Sequence, residues 1–131
     1  MSPLDTTQLR SLMPFAELLG VRVRTATKDT VVLELDWRAE LCTAGGVMHG
    51  GALMTLADSS SAACAFLNLP EGSAGTTTVE SKINLLAPAR AGIVSAHTKP
   101  LHVGRRFIVL ETELRTPDTL VGKTMQTQAV L

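Results

Sequence analysis

Aromatic side chains are nearly missing from this chain of 131 residues, which has three Phe, one Trp and no Tyr. Hydrophobic residues still make up 45%. The core must therefore be built from Leu, Val, Ile, Met and Ala, and little is left to stack on bases. An excess of one charge is missing too. Lys plus Arg is 12 and Asp plus Glu is 12, which argues against a nucleic-acid binder held by phosphate contacts. No apolar run approaches the roughly 20 residues that span a bilayer, so no membrane partner is expected. The start, MSPLDTTQLR, lacks the basic residues and apolar stretch of a secretory signal. Two cysteines, Cys42 and Cys64, are too few for a disulfide framework. The expectation is a protein of the reducing cytoplasm, with Cys64 a buried free thiol in an apolar helix.

Motifs of several chemistries are also missing. His97 and His102 stand five apart on strand-like sequence, which predicts opposite faces, and with the cysteines they form no metal-ligand spacing. Ser59, Ser60 and Ser61 do not sit in G-x-S-x-G, so a serine hydrolase is unsupported. No G-x-G-x-x-G follows a strand. Neither a metal nor a redox cofactor is expected.

What is present is a change of hydrophobic period along the chain. Residues 5–19 have helical spacing at Leu9, Leu12 and Met13, broken by Pro14 and ended by Gly20. Val21, Val23 and Thr25 then alternate with Arg22 and Arg24, and Val31, Leu33, Leu35 and Trp37 alternate with Val32, Glu34, Asp36 and Arg38. These predict two half-buried strands with a turn near Lys28-Asp29. A glycine-rich approach, Gly45 to Gly51, opens a long apolar helix that runs to about Leu67. Four more strands follow: the stretch from Thr76 to Leu85, residues 92–101, the stretch around Ile108 to Leu114, and a last strand with Val121, Met125, Ala129 and Leu131 on one parity. The late strands follow one another through short turns, which predicts an antiparallel sheet. The fold class is α+β. With no linker, repeat or low-complexity segment, residues 1–131 are expected to form one domain, with an N-terminal helical segment in 1–19.

The long helix carries one charge, Asp58. Positions three and four residues away hold Thr55, Met54, Ser61 and Ala62, so no local ion pair compensates it. An isolated carboxylate in an apolar site costs several kcal/mol, on the order of a domain's net stability. A water-filled groove, or a distant basic residue on a strand, would explain it without any task. The neighbouring motif adds another explanation. His49-Gly50-Gly51 stands at the helix start, where first-turn N–H groups lack intrahelical acceptors and the dipole is positive. Gly50 lets another molecule approach its N–H with no Cβ in the way, a place to hold an oxygen that becomes negative during reaction. Gly50 and Asp58 are eight residues apart, about 12 Å of helical rise, too far to act on one carbonyl. Two antiparallel copies of the helix would bring Gly50 of one chain to Asp58 of the other.

HGGALMTLADSSSA, with the later TVESKINLLAPAR and the Val103-Gly104-Arg105 turn, resembles the hotdog-fold acyl-CoA thioesterases of the phenylacetic-acid-degradation (PaaI-like) branch, over about residues 15–131. The resemblance implies a long helix wrapped by a curved antiparallel sheet of about six strands. It also implies subunits paired edge to edge into a homodimer, usually a dimer of dimers, and hydrolysis of an acyl- or aroyl-CoA thioester. It makes Asp58 the general base or nucleophile, gives the Gly50 N–H the task of polarising the carbonyl, and has His49 help place the carbonyl or the water. Related enzymes often have Asn or Gln six residues before the histidine, where this chain has Thr43. Some have Ser or Thr four residues after the acid, where this chain has Ala62, with Ser61 beside it as a substitute. Thr78 matches a polar position near the site. Thr43, Gly51, Ser61 and Thr78 are thus candidate substrate-binding residues. CoA phosphates ask for a basic rim, for which Arg90 and Arg105-Arg106 are candidates; Arg106 and Phe107 are expected to begin a strand, so Arg105 and Arg106 face opposite ways and at most one meets ligand. A non-catalytic acyl-CoA binding protein of the same shape is the competing reading. A dehydratase is disfavoured because no His follows Asp58.

Overall fold

The computed structural model describes residues 4–131. At the N-terminal end α1 (Thr6–Leu12) starts in a capping box between Asp5 and Gln8. Pro14 sits at the first position of α2 (Pro14–Leu19), where its missing N–H costs nothing. Gly20 closes that helix in the left-handed region at φ 83°, so the break at Pro14 and the stop at Gly20 both fall where the sequence put them.

Strands β1 (Arg22–Ala26) and β2 (Val31–Asp36) form a hairpin, closed by Thr27 and Thr30. A looped approach leads into α3 (Gly50–Leu67), and β3 (Thr76–Leu85), β4 (Ile93–Val103), β5 (Phe107–Arg115) and β6 (Leu120–Val130) follow. All pairings are antiparallel, and the strand order across the sheet is β1-β2-β4-β5-β6-β3. Helix α3 lies across β2 to β6, so the sheet wraps it. Apolar contacts hold the two together: Leu53, Leu56, Ala57 and Cys64 of the helix are buried against Leu33, Leu35, Val94, Ile108 and Leu110. Asn68 ends the helix by donating to the Cys64 and Lys28 carbonyls, both at 2.8 Å. No helix among the described residues is long and apolar enough to cross a membrane.

Four expectations from the sequence change. β3 does not pair with β4, its neighbour in sequence. It crosses to the far edge and pairs with β6, because the segment from Leu86 to Gly92 passes the start of α3, tied there by Met48 N–H to the Ala89 carbonyl. The alternation in β3 is interrupted by a bulge between Thr78 and Glu80. A second bulge in β4, between Pro100 and His102, puts His97 opposite Glu113 and His102 opposite Val109, on one face rather than two. In β6 Val121 is buried as its parity suggests, but from Thr124 onward the buried parity is the polar one. Thr124, Gln126 and Gln128 point inward, while Met125 is 43% exposed and Leu131 61% exposed.

Candidate active site

The start of α3 shows how its orphan N–H groups are shared out. His49 N–H donates to the Leu41 carbonyl at 2.8 Å, and Ala52 N–H to the His49 carbonyl at 2.9 Å. The Gly51 N–H donates to the His49 ring at Nδ1, 2.7 Å away. Because Nδ1 accepts, a neutral ring carries its proton on Nε2. The Gly50 N–H is left over, with no partner among the described residues, at the positive end of the helix.

Gly50 lines a groove of about 380 Å³ together with Thr43, Val47, Met48, Leu53 and the stretch from Leu85 to Ala89. The lining contains no ionisable side chain. A Cβ at Gly50 would stand 2.8 Å from Leu85 Cδ1, so glycine is what keeps the approach open. Thr43 shares this groove; its own N–H is tied to the Val47 carbonyl at 2.8 Å. His49 lines a different, smaller groove of about 200 Å³ with Phe15, Leu19, Glu40 and Cys42. Gly51 lies there too, its N–H already engaged by the His49 ring.

Two turns along the helix Asp58 meets a different surface. Its Oδ1 accepts from Gln126 Nε2 at 2.8 Å and from the Thr78 hydroxyl at 3.1 Å. Its Oδ2 has no partner among the described residues. The carboxylate thus meets an amide donor and a hydroxyl whose one proton lies between it and Gln128 Oε1, with no basic residue against it among the described residues; a bond to a charged group contributes about 1.5–3 kcal/mol. Thr78 is exposed on the edge strand, with its hydroxyl turned to Asp58 Oδ1 and Gln128 Oε1 just before the bulge. Ser61 is turned away from the carboxylate. It is fully buried and bonded to Thr112 at 2.9 Å, in a hydroxyl cluster that continues through Thr98 to Ser60.

The basic candidates scatter. Arg90 Nη1 donates to the Gly45 carbonyl at 3.2 Å, beside the loop that carries Thr43. Arg105 and Arg106 both lie in the turn before β5 rather than in the strand, exposed around a groove of about 500 Å³ with His102 and Phe107. Neither groove contains Asp58. Gln126, which donates to Asp58, went unnoticed in the sequence because glutamine on a late strand carries no motif. Its one signal was a strand, LVGKTMQTQAV, whose two alternating faces both contain polar residues.

A long helix wrapped by a six-stranded antiparallel sheet is the architecture of the hotdog-fold thioesterases. The model of the thioesterase superfamily matches residues 45–123, and the chain belongs to that family. Among curated relatives it is 36% identical over 96 residues to 1,4-dihydroxy-2-naphthoyl-CoA hydrolase of Escherichia coli, covering 73% of this chain and 70% of that one. A conserved protein of Pseudomonas aeruginosa superposes with a TM-score of 0.80 at 35% identity, over 89% of this chain and 93% of the other. A mutant form of the phenylacetic acid degradation protein PaaI of Thermus thermophilus does so with a TM-score of 0.82 at 27% identity, over 90% and 99%. A PaaI-like hotdog thioesterase is therefore the assignment that fold and sequence share.

Proposed function

We propose that the protein hydrolyses an acyl- or aroyl-CoA thioester at a site shared by two copies of the chain. The observation that carries this is the division along α3. The first-turn Gly50 amide, without an acceptor among the described residues, opens on a groove with no ionisable group. The carboxylate that could act on a bound carbonyl is about 12 Å away along the same helix. A two-fold pairing that lays two α3 helices antiparallel joins the Gly50 N–H of one protomer to Asp58 of its partner. The free edge of β3, with Val79 and Leu85 each 54% exposed, supplies a surface for such a pairing. The family resemblance supports a further pairing of dimers into a tetramer.

In this reading the Gly50 N–H polarises the thioester carbonyl, and His49 acts from behind by capping the helix so that the Gly50 N–H stays free. Asp58 acts as general base or as nucleophile. As base it takes a proton from water while the water oxygen bonds to the carbonyl carbon; the C–S bond then breaks and the proton goes to the departing CoA sulfur. Thr43 borders the carbonyl groove, and Arg90 and Arg105 are the candidates for the CoA phosphates. The test is release of free CoA from a panel of acyl-CoAs, followed with a thiol reagent. Wild type is expected to release CoA, and Asp58→Asn to do so at least about a hundredfold more slowly. Equal rates would remove Asp58 from the chemistry, and binding without turnover by wild type would leave a non-catalytic acyl-CoA carrier.

A further inference from the structure

Gln126 is fully buried on β6, and its amide bonds form part of a chain with a fixed direction. The Thr76 hydroxyl donates its proton to the Ala129 carbonyl at 2.8 Å, and a carbonyl can only accept. Thr76 Oγ1 must therefore accept from Gln128, whose Nε2 lies 3.2 Å away. That turns Gln128 Oε1 toward Gln126, where it accepts from Nε2 at 2.8 Å. Gln126 then has one N–H left, and its nearer acceptor is Asp58 Oδ1 at 2.8 Å, with Thr78 Oγ1 a longer one at 3.3 Å. The Thr78 hydroxyl, with a single proton, lies between Gln128 Oε1 and Asp58 Oδ1. Each member dictates the orientation of the next, and the last donor in the row faces the carboxylate.

This orientation has a visible cost. Gln126 Oε1 is buried with no hydrogen-bond partner among the described residues, a state that ordinarily costs about 1–3 kcal/mol. Turning the amide over would set its oxygen against the carboxylate and against Gln128 Oε1, so the chain tolerates the orphan in order to keep the donor in place.

We propose that Gln126 is a positioning residue for hydrolysis, pinning Asp58 Oδ1 so that Oδ2 is the oxygen presented to the reaction. The proposal rests on the catalytic reading of Asp58. It differs from it in assigning a task to a residue outside the helix motif, one that reaches the reaction only through the carboxylate. Gln128 and Thr76 anchor the row to the backbone.

The experiment compares kcat and KM for wild type, Asp58→Asn, Gln126→Met and the double variant on an acyl-CoA that wild type hydrolyses. Met keeps the length of the side chain and removes the donor. In Gln126→Met, kcat is expected to fall about 10- to 100-fold, the scale of a misplaced catalytic group, with KM within about twofold of wild type. The double variant is expected to be no slower than Asp58→Asn, because Gln126 acts through Asp58. An unchanged kcat in Gln126→Met, a loss carried by KM alone, or a further loss in the double variant would each overturn the proposal. Asp58→Asn at wild-type rate would overturn the catalytic reading and this proposal with it. Asp58→Asn inactive beside a normal Gln126→Met would overturn this proposal alone. Should Gln126→Met not fold, Gln126→Leu, which likewise fills the site and has no donor, takes its place; a loss of kcat of the same order supports the proposal and a wild-type kcat overturns it.

Discussion

Two stretches of one helix, Gly50 to Leu53 and Asp58 to Ser61, lie in opposite surroundings. The first opens on a groove of Val, Met, Leu, Pro and Ala side chains around one unused N–H. The second faces hydroxyls and amides: Thr78, Gln126 and Gln128 about the carboxylate, and Thr98 and Thr112 beneath the serines. An apolar groove strengthens a single donor aimed at a developing charge. A hydrogen-bonded seam keeps a carboxylate without a counter-ion. The helix separates these two environments by two turns, and the second copy of the chain is what would bring them together.

The sharpest way to break the contrast is at its apolar end. Gly50→Ala keeps the N–H but adds a methyl in its approach, 2.8 Å from Leu85 Cδ1. Leu85 is more than half exposed and can move aside, so the fold is expected to survive, while kcat/KM for acyl-CoA hydrolysis falls about 10- to 100-fold. Adding Leu85→Ala should not restore it. Restoration would show that Leu85, rather than access to the N–H, set the rate.

A smaller effect sharpens the polar end. Thr124 points into the same seam, two residues before Gln126, and its hydroxyl is buried without a partner among the described residues. Thr124→Val, nearly the same shape, is expected to stabilise the protein by about 1 kcal/mol, read as a rise in thermal midpoint of a few degrees, with kcat unchanged. A fall in stability would mean that the hydroxyl has a partner, such as a bound water.

The smallest effect belongs to the outer face of the sheet, which neither stretch touches. His97 is held below the ordinary histidine range by burial, with Arg115 and Arg24 adding to it. The folded state therefore favours the neutral ring. Its contribution is whole above about pH 6.5, the ordinary value for histidine, and is lost as the pH falls through the lowered folded value, because the unfolded chain binds the proton more readily. His97→Gln is expected to flatten the acid-side fall of the melting temperature. An unchanged slope would contradict this.

The α+β class, the long helix, the broken N-terminal segment and the antiparallel sheet were all legible, because hydrophobic period and the Pro and Gly positions record local geometry. So was the placing of a lone Asp58 on the helix that His49-Gly50-Gly51 opens, since the spacing along one helix is known. The rest depended on cross-strand register. The bulges in β3 and β4 reset which residues face inward, and no residue type marks them. The inward face of β6 was misjudged because Met125 and Leu131 look more buriable than Gln126 and Gln128. The helix serines and Asp58 reverse that preference by giving buried amides and hydroxyls something to bond. The place of Ser61 beneath the helix, and the capping role of the His49 ring, likewise follow from partners far away in sequence or from a rotamer.

The central claim is that the amide and the carboxylate of one reaction come from different copies of the chain. It is tested most directly by mixing inactive Asp58→Asn with an inactive Gly50 variant under conditions of proven subunit exchange and measuring acyl-CoA hydrolysis. One of the two sites in each mixed dimer would carry both intact groups, so activity is predicted to reappear, approaching half the wild-type rate per site in those mixed dimers. No recovery in dimers shown to be mixed, or full wild-type turnover by a strictly monomeric protein, would contradict it.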